Sequence, residues 1–212
     1  MRNKQTKVFG YPSRIMPLLT QAGKEATMLN IVRALQVILL LILTLLPLHS
    51  ALAASASEID RNVTAALQTL YQTTPGAKTL ANQSKGILVF PDMVKAGFII
   101  GGQYGDGALR KKGKTIGYYR SIAGSFGLQA GVQSFGYALF FVDDASLRYL
   151  EKSEGWEIGT GPSVVILDKG FAKNLSSTTL QKGVYAFIFD QKGLMAGIGL
   201  QGSKITKITP NE

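Results

Sequence analysis

The densest grouping of chemically capable side chains is Arg110-Lys111-Lys112-Gly113-Lys114, four cations in five residues, followed closely by Tyr118 and Tyr119. Cations at this density can meet phosphate groups, with aromatic rings seated at the boundary between water and an apolar phase. The plainer reading is a solvated hairpin tip whose charges guard against edge pairing. Lys78, Lys85 and Lys95 would join the same field if the first helix packs near the tip.

Other arrangements come close to catalytic motifs and fail on spacing or partners. Gly107 to Thr115 runs one residue too long for a phosphate-binding P-loop, and a turn rather than a helix is expected after it. Ala123-Gly124-Ser125-Phe126-Gly127 lacks the first glycine of a nucleophile elbow. Gly159-Thr160-Gly161-Pro162 is no dinucleotide fingerprint, because the proline and the lack of a following helix spoil it. The acid pairs Asp143-Asp144 and Glu151-Glu154 sit at the ends of an expected helix, where capping and solvation account for them. The chain has no cysteine, which excludes disulfides, thiolate nucleophiles and thiolate-held metals. Its only histidine, His49, falls in a segment expected to be removed, so Ser-His triads and most zinc sites are excluded too. No catalytic residue, metal ligand or cofactor is expected.

The elements that would position the basic turn are legible from period and punctuation. Thr115 to Val142 is rich in aromatics, with Gly127, Gln129, Gly131 and Gln133 on one face and Phe126, Leu128, Ala130 and Val132 on the other. The same alternation recurs in Gly101–Gly107 and in Gly193–Gly202, which points to one curved, Gly-rich antiparallel sheet. Whether the glycine faces point inward is left open by the pattern. Ahead of the sheet, Ile59, Val63, Ala66, Leu67, Leu70 and Tyr71 form a helical stripe, opened by the capping box Ser55/Glu58. A short helix is expected over Ala77 to Gln83. Strands are expected at Gly86–Phe90, closed by Pro91-Asp92, at Gly97–Leu109 and at Thr115–Ser121, with two more running to Val142. A helix over Ala145–Lys152 capped by Asp143 or Asp144 follows, then a Val164–Leu167 run. Residues 171–182 read as loop, Val184–Phe189 and Leu194–Leu200 as a hairpin about Asp190–Gly193, and Ser203–Ile208 as a last strand. The fold class is α+β, a Gly-rich antiparallel β-barrel-like sheet flanked by a few helices.

The net charge of +10 divides equally: residues 1–53 carry +5 and residues 54–212 carry +5. The folded part is therefore only mildly basic, and clustering would have to give that excess its meaning. Met28 to Ala53 reads as a secretory signal: Arg33, an apolar run from Val37 to Leu46, Pro47, then Ala51-Leu52-Ala53 with cleavage expected after Ala53. The alternative is an uncleaved anchor, although the run is short against the ~20 residues a bilayer span needs. Residues 1–27 are expected to be an extension upstream of the true start at Met28, or a disordered one.

Taken together, Lys85-Gly86, Val94–Gly107 (VKAGFIIGGQYGDG), Ala123–Gln133 (AGSFGLQAGVQ), Gly159–Pro162 and Lys192–Gly202 (KGLMAGIGLQG) resemble the SYLF domain, in that family's order, over about residues 57–208. The chain looks like a secreted bacterial branch of it. The resemblance implies a Gly-rich β-barrel-like core with helices, and binding of membrane lipid, phosphoinositides in particular. Some members bind actin, against which the export signal and the lack of an appended peptide-binding module argue here. The expectation is thus a non-enzymatic domain of the periplasm or cell envelope, in peripheral contact with anionic membrane lipid. Arg110, Lys111, Lys112, Lys114, Tyr118 and Tyr119 are its contact residues, and no nucleic acid is expected as partner. The alternatives are an envelope structural or protein-interaction domain, or a carrier of an apolar ligand.

Overall fold

The computed structural model describes residues 28–37, 54–97, 100–126, 131–167, 180, 183–193, 200 and 202–211. The chain divides into two units, Met1–Leu52 and Ala53–Glu212. In the first, residues 28–37 are helical (α1) and exposed. Beyond Val37, the apolar run and the cleavage point after Ala53 lie outside the described residues. Among the described residues, no helix is long and apolar enough to cross a membrane.

The second unit opens with α2 (Ala56–Thr73), where the Ser55 hydroxyl accepts the Glu58 N–H at 3.2 Å as the capping box requires. Helix α3 (Pro75–Gln83) starts on a proline, which supplies a helical φ and no surplus donor. Then come β1 (Gly86–Gly97), β2 (Ile100–Lys111), β3 (Lys114–Phe126) and β4 (Gly131–Phe141). Helix α4 (Asp144–Lys152), β5 (Trp156–Glu157), β6 (Val164–Leu167), β7 (Val184–Gly193) and β8 (Lys204–Ile208) complete the described elements. Eight described strands make one sheet in the order β5-β8-β3-β2-β1-β4-β7-β6. Every pairing is antiparallel except β6 with β7.

Three strand boundaries differ from the expectation, each because a partner strand overrides a local stop signal. Pro91-Asp92 does not close β1. The register shifts there against both β2 and β4, so the proline occupies a bulge where its missing N–H costs no ladder bond. Thr115 to Phe126 continues one strand rather than ending at Ser121, since β2 pairs with it throughout. The expected turn Asp190–Gly193 lies inside β7, with Asp190 at φ 50° beside a register shift opposite Ser134 and Gly136. The loop expected at residues 171–182 and the return strand Leu194–Leu200 lie outside the described residues, save Leu180 and Leu200.

The sheet curls into a half-barrel. Trp156 on β5 packs against Phe141 on β4 with ring centroids 6.0 Å apart, although four strands lie between them. The Tyr137 hydroxyl on β4 reaches the Ser121 hydroxyl on β3 at 2.7 Å, in full burial. The concave face therefore holds one core: Phe90, Phe135, Tyr137, Leu139, Trp156 and their neighbours, closed by Leu147 and Leu150 of α4. A second core lies on the convex face, where Ile59, Val63, Leu70 and Leu80 of α2 and α3 cover Val89, Ala108, Ala138, Phe140 and Phe187. Each fully buried aliphatic or aromatic side chain here contributes on the order of 1.5–3 kcal/mol.

Where it is described, at Gln103 and Gln133, the Gly/Gln face turns inward. Gln103 and Gln133 are buried, and Gln103 Nε2 donates to Ser203 Oγ at 2.9 Å. Glycine is required where strands cross the bulge: a Cβ at Gly107 would overlap the Val89 carbonyl and meet the Phe90 ring at 2.8 Å.

Candidate functional site

The basic turn is a two-residue hairpin between β2 and β3, with Lys111 paired to Lys114. Its central residues, Lys112 and Gly113, both have positive φ, 51° and 78°. That is the pairing that matches strand twist, and Asn-Gly fills it most readily. A lysine in the left-handed region costs energy that asparagine or glycine would largely avoid. The sequence thus places a cation where conformation alone would not choose one.

The six expected contact residues divide into two groups. Lys111, Lys112 and Lys114 are exposed and form no ion pair with a described residue. Arg110 is committed elsewhere. Its Nη2 donates to the Asp60 carbonyl at 2.9 Å and Thr64 Oγ1 at 3.1 Å, its Nη1 donates to the Gly113 carbonyl at 3.2 Å, and the Asp60 carboxylate lies 3.4 Å away. The guanidinium therefore fastens α2 to the hairpin and steadies the turn from beneath. Its Nε is buried without a partner.

Tyr118 and Tyr119 correct the expectation of interfacial rings. Strand alternation sends them to opposite faces, and both faces are covered at this level. Tyr119 is buried in the concave core. Tyr118 packs against the convex core and donates its hydroxyl to Asp60 Oδ2 at 3.2 Å. Loss of hydration raises the Tyr118 pKa above its ordinary value, and the negative Asp60 beside it adds to the rise.

Asp60 is the residue that sequence reasoning missed. Besides Arg110 and Tyr118 it accepts from Thr115 Oγ1 at 2.7 Å. One carboxylate on α2 thus gathers three side chains of the hairpin 50 or more residues downstream. It lies next to Ile59 of the apolar stripe, on the flank of the helix, which is the one local hint that it faces the sheet.

The register carries Lys85 to the same end, since Ile87 lies opposite Arg110 and Lys85 is exposed two residues before it. Lys78 is exposed on α3, whereas Lys95 is buried in the half-barrel and does not join the field. Beside the tip a cleft of about 500 Å³ opens between α2, α3 and the turn; Tyr71, Asn82, Ser84, Ile87, Arg110 and Lys112 are on its walls. Its walls mix apolar side chains, Leu67, Ala81 and Ile87, with polar ones, Thr64, Gln68 and Asn82. Among the described residues no group of three or more acidic or imidazole side chains could hold a metal.

Residues 122–210 match a protein family described as Ysc84, Las17-binding protein actin regulator. The matched span runs from the end of β3 to the end of the last strand, and the turn and α2 precede it. No curated protein matches the chain.

Proposed function

We propose that this protein, whose residues 122–210 match the Ysc84 (SYLF) family of binding domains, binds anionic membrane lipid through its β2–β3 tip, as an exported protein of the cell envelope. The observation that carries the reading is the positive φ of Lys112. Conformational cost at a turn tip is retained when the side chain does something that the cheaper residue cannot. Lys111, Lys112 and Lys114, with Lys85 behind them, form a cationic end to the sheet. Lys112 also stands at the mouth of the cleft, where a phosphate-bearing head group can lie with its edge over Ile87 and Leu67. Each lysine near an anionic surface contributes about 1 kcal/mol, so attachment is weak, reversible and sensitive to salt. Arg110 has a supporting role and Tyr118 and Tyr119 none in contact. The concave face is filled by its own aromatic core, which favours surface binding over carriage of an apolar ligand.

Co-sedimentation with phosphatidylcholine vesicles, with and without phosphoinositide or phosphatidylserine, tests this. Replacement of Lys111, Lys112 and Lys114 by serine should lower binding to the anionic vesicles by roughly tenfold or more in dilute buffer. Unchanged binding removes the tip from the account. The second reading, favoured by the family's description, is a protein partner at the same tip; actin co-sedimentation with no vesicle binding would select it.

A further inference from the structure

The half of the convex face nearest the basic tip lies under α2 and α3, and no described element covers the other half. Five large apolar side chains alternate onto that half and are exposed: Val94, Ile100, Tyr104, Ile122 and Val132, by 47%, 69%, 45%, 51% and 63%. An antiparallel sheet that faces water on one side ordinarily presents polar residues there.

At the same level the polar residues point inward. Lys95, Gln103, Gln133 and Ser203 are all buried inside the half-barrel. Apolar outside and polar inside is the alternation of a barrel that meets lipid.

Along the strands the convex face is also layered. Nearest the helices lies the ion pair of Asp106 and Arg120, two-pronged at 2.7 and 2.9 Å, with the guanidinium 5.0 Å from the Tyr104 ring. The next row, read across the register, is Lys192, Ser134, Val94, Tyr104, Ile122 and Lys204. Beyond it come Val132, Ala96, Gly102 and Gly124, then Ile100, and no described residue on that face is charged. Charge, then lysine with tyrosine, then apolar side chains alone is the order met on passing from water through head groups into acyl chains.

We propose that this end of the sheet, opposite the basic tip, enters the head-group and upper acyl region of a lipid bilayer. Tyr104, Lys192 and Lys204 lie at head-group level, and Ile100, Ile122 and Val132 lie below it. The cations of this row are matched by acids, Lys192 with Asp190 at 3.0 Å and Lys204 opposite Glu157, so the contact is apolar and indifferent to lipid charge. It shares with the tip the reading of the protein as lipid-binding, but the two contacts differ in chemistry and fail separately.

The test uses the full chain, neutral phosphatidylcholine vesicles and about 1 M salt, where charge is screened beyond roughly 3 Å. Wild type and the Lys111/Lys112/Lys114 serine variant should both bind. A variant with Ile100, Ile122 and Val132 replaced by serine should bind at least about tenfold less. These side chains are exposed, so its circular dichroism and melting should match wild type. As a second readout, Tyr104→Trp should gain a fluorescence component quenched by brominated acyl chains. Equal vesicle binding by the apolar variant overturns the proposal, as does failure of wild type to bind neutral vesicles. A dimer that the apolar variant loses while vesicle binding persists assigns the face to a second copy and overturns it too. No quenching of the introduced indole does the same.

Discussion

Two residues show how single side chains set local stability against use. Lys112 holds a positive φ that asparagine adopts more readily. Lys112→Asn should therefore raise stability by a few tenths to about 1 kcal/mol in urea melts, while binding to anionic vesicles falls. A gain in both would mean that the lysine has no role at the surface. Asp143 caps α4 and also reaches across to Gly183, just ahead of β7. Burial pushes its carboxyl upward, but hydrogen bonds from the Ser146 N–H and hydroxyl and from the Gly183 N–H outweigh it, and the pKa lies below the ordinary value. A depressed carboxylate contributes stability above its unfolded pKa and loses it as pH falls through the folded one. Asp143→Ala should thus cost about 1 kcal/mol near about pH 7, and the gap from wild type should narrow below about pH 4. A gap that stays constant with pH would show that packing, not charge, carries the effect.

Among elements, the decisive joint is that of α2 with the β2–β3 hairpin. Asp60→Ala strips the carboxylate acceptor from Thr115 and Tyr118 and the ion-pair partner from Arg110, whose bond to the residue-60 carbonyl remains. With the arginine side chain only 17% exposed, the expected loss is about 1–3 kcal/mol. Amide hydrogen exchange should show α2 losing protection ahead of the central strands. Uniform loss across the domain would mean that the helix and sheet open as one unit.

This joint also marks where sequence reading succeeds and stops. Helix α2 is legible because its cap and its stripe are local, Ser55 to Glu58 and Ile59 to Tyr71. The three lysines at the tip are legible because they are adjacent. Arg110 looks identical to them on paper, and only its meeting with Asp60, distant in the chain, removes it from the surface. Tyr118 and Tyr119 are undecidable by period, since both faces of the sheet are covered there. Pro91 and Asp190 read as strand ends, but the register of β4 absorbs both as irregularities within continuous strands. The inward turn of Gln103 and Gln133 runs against hydropathy, and only a curled sheet with its own polar interior accommodates it.

Over the whole folded unit, the strands run from a cationic end to an apolar one. Salt should therefore separate two modes of attachment. Binding to anionic vesicles should fall as salt rises and then level off at the value seen with neutral vesicles, rather than vanish. A decay to zero would leave the tip as the sole contact, and a flat profile would leave only the apolar end.

The curl itself brings a practical benefit. Trp156 is the chain's only tryptophan, it sits in the seam between the edge strand and β4, and its Nε1–H is satisfied by the Thr160 carbonyl at 2.8 Å. Native emission thus comes from one indole placed where the two arms of the half-barrel meet. A shift of that emission to longer wavelength reports water reaching the seam, so the opening of the arms can be followed in the unlabelled protein, on or off a membrane.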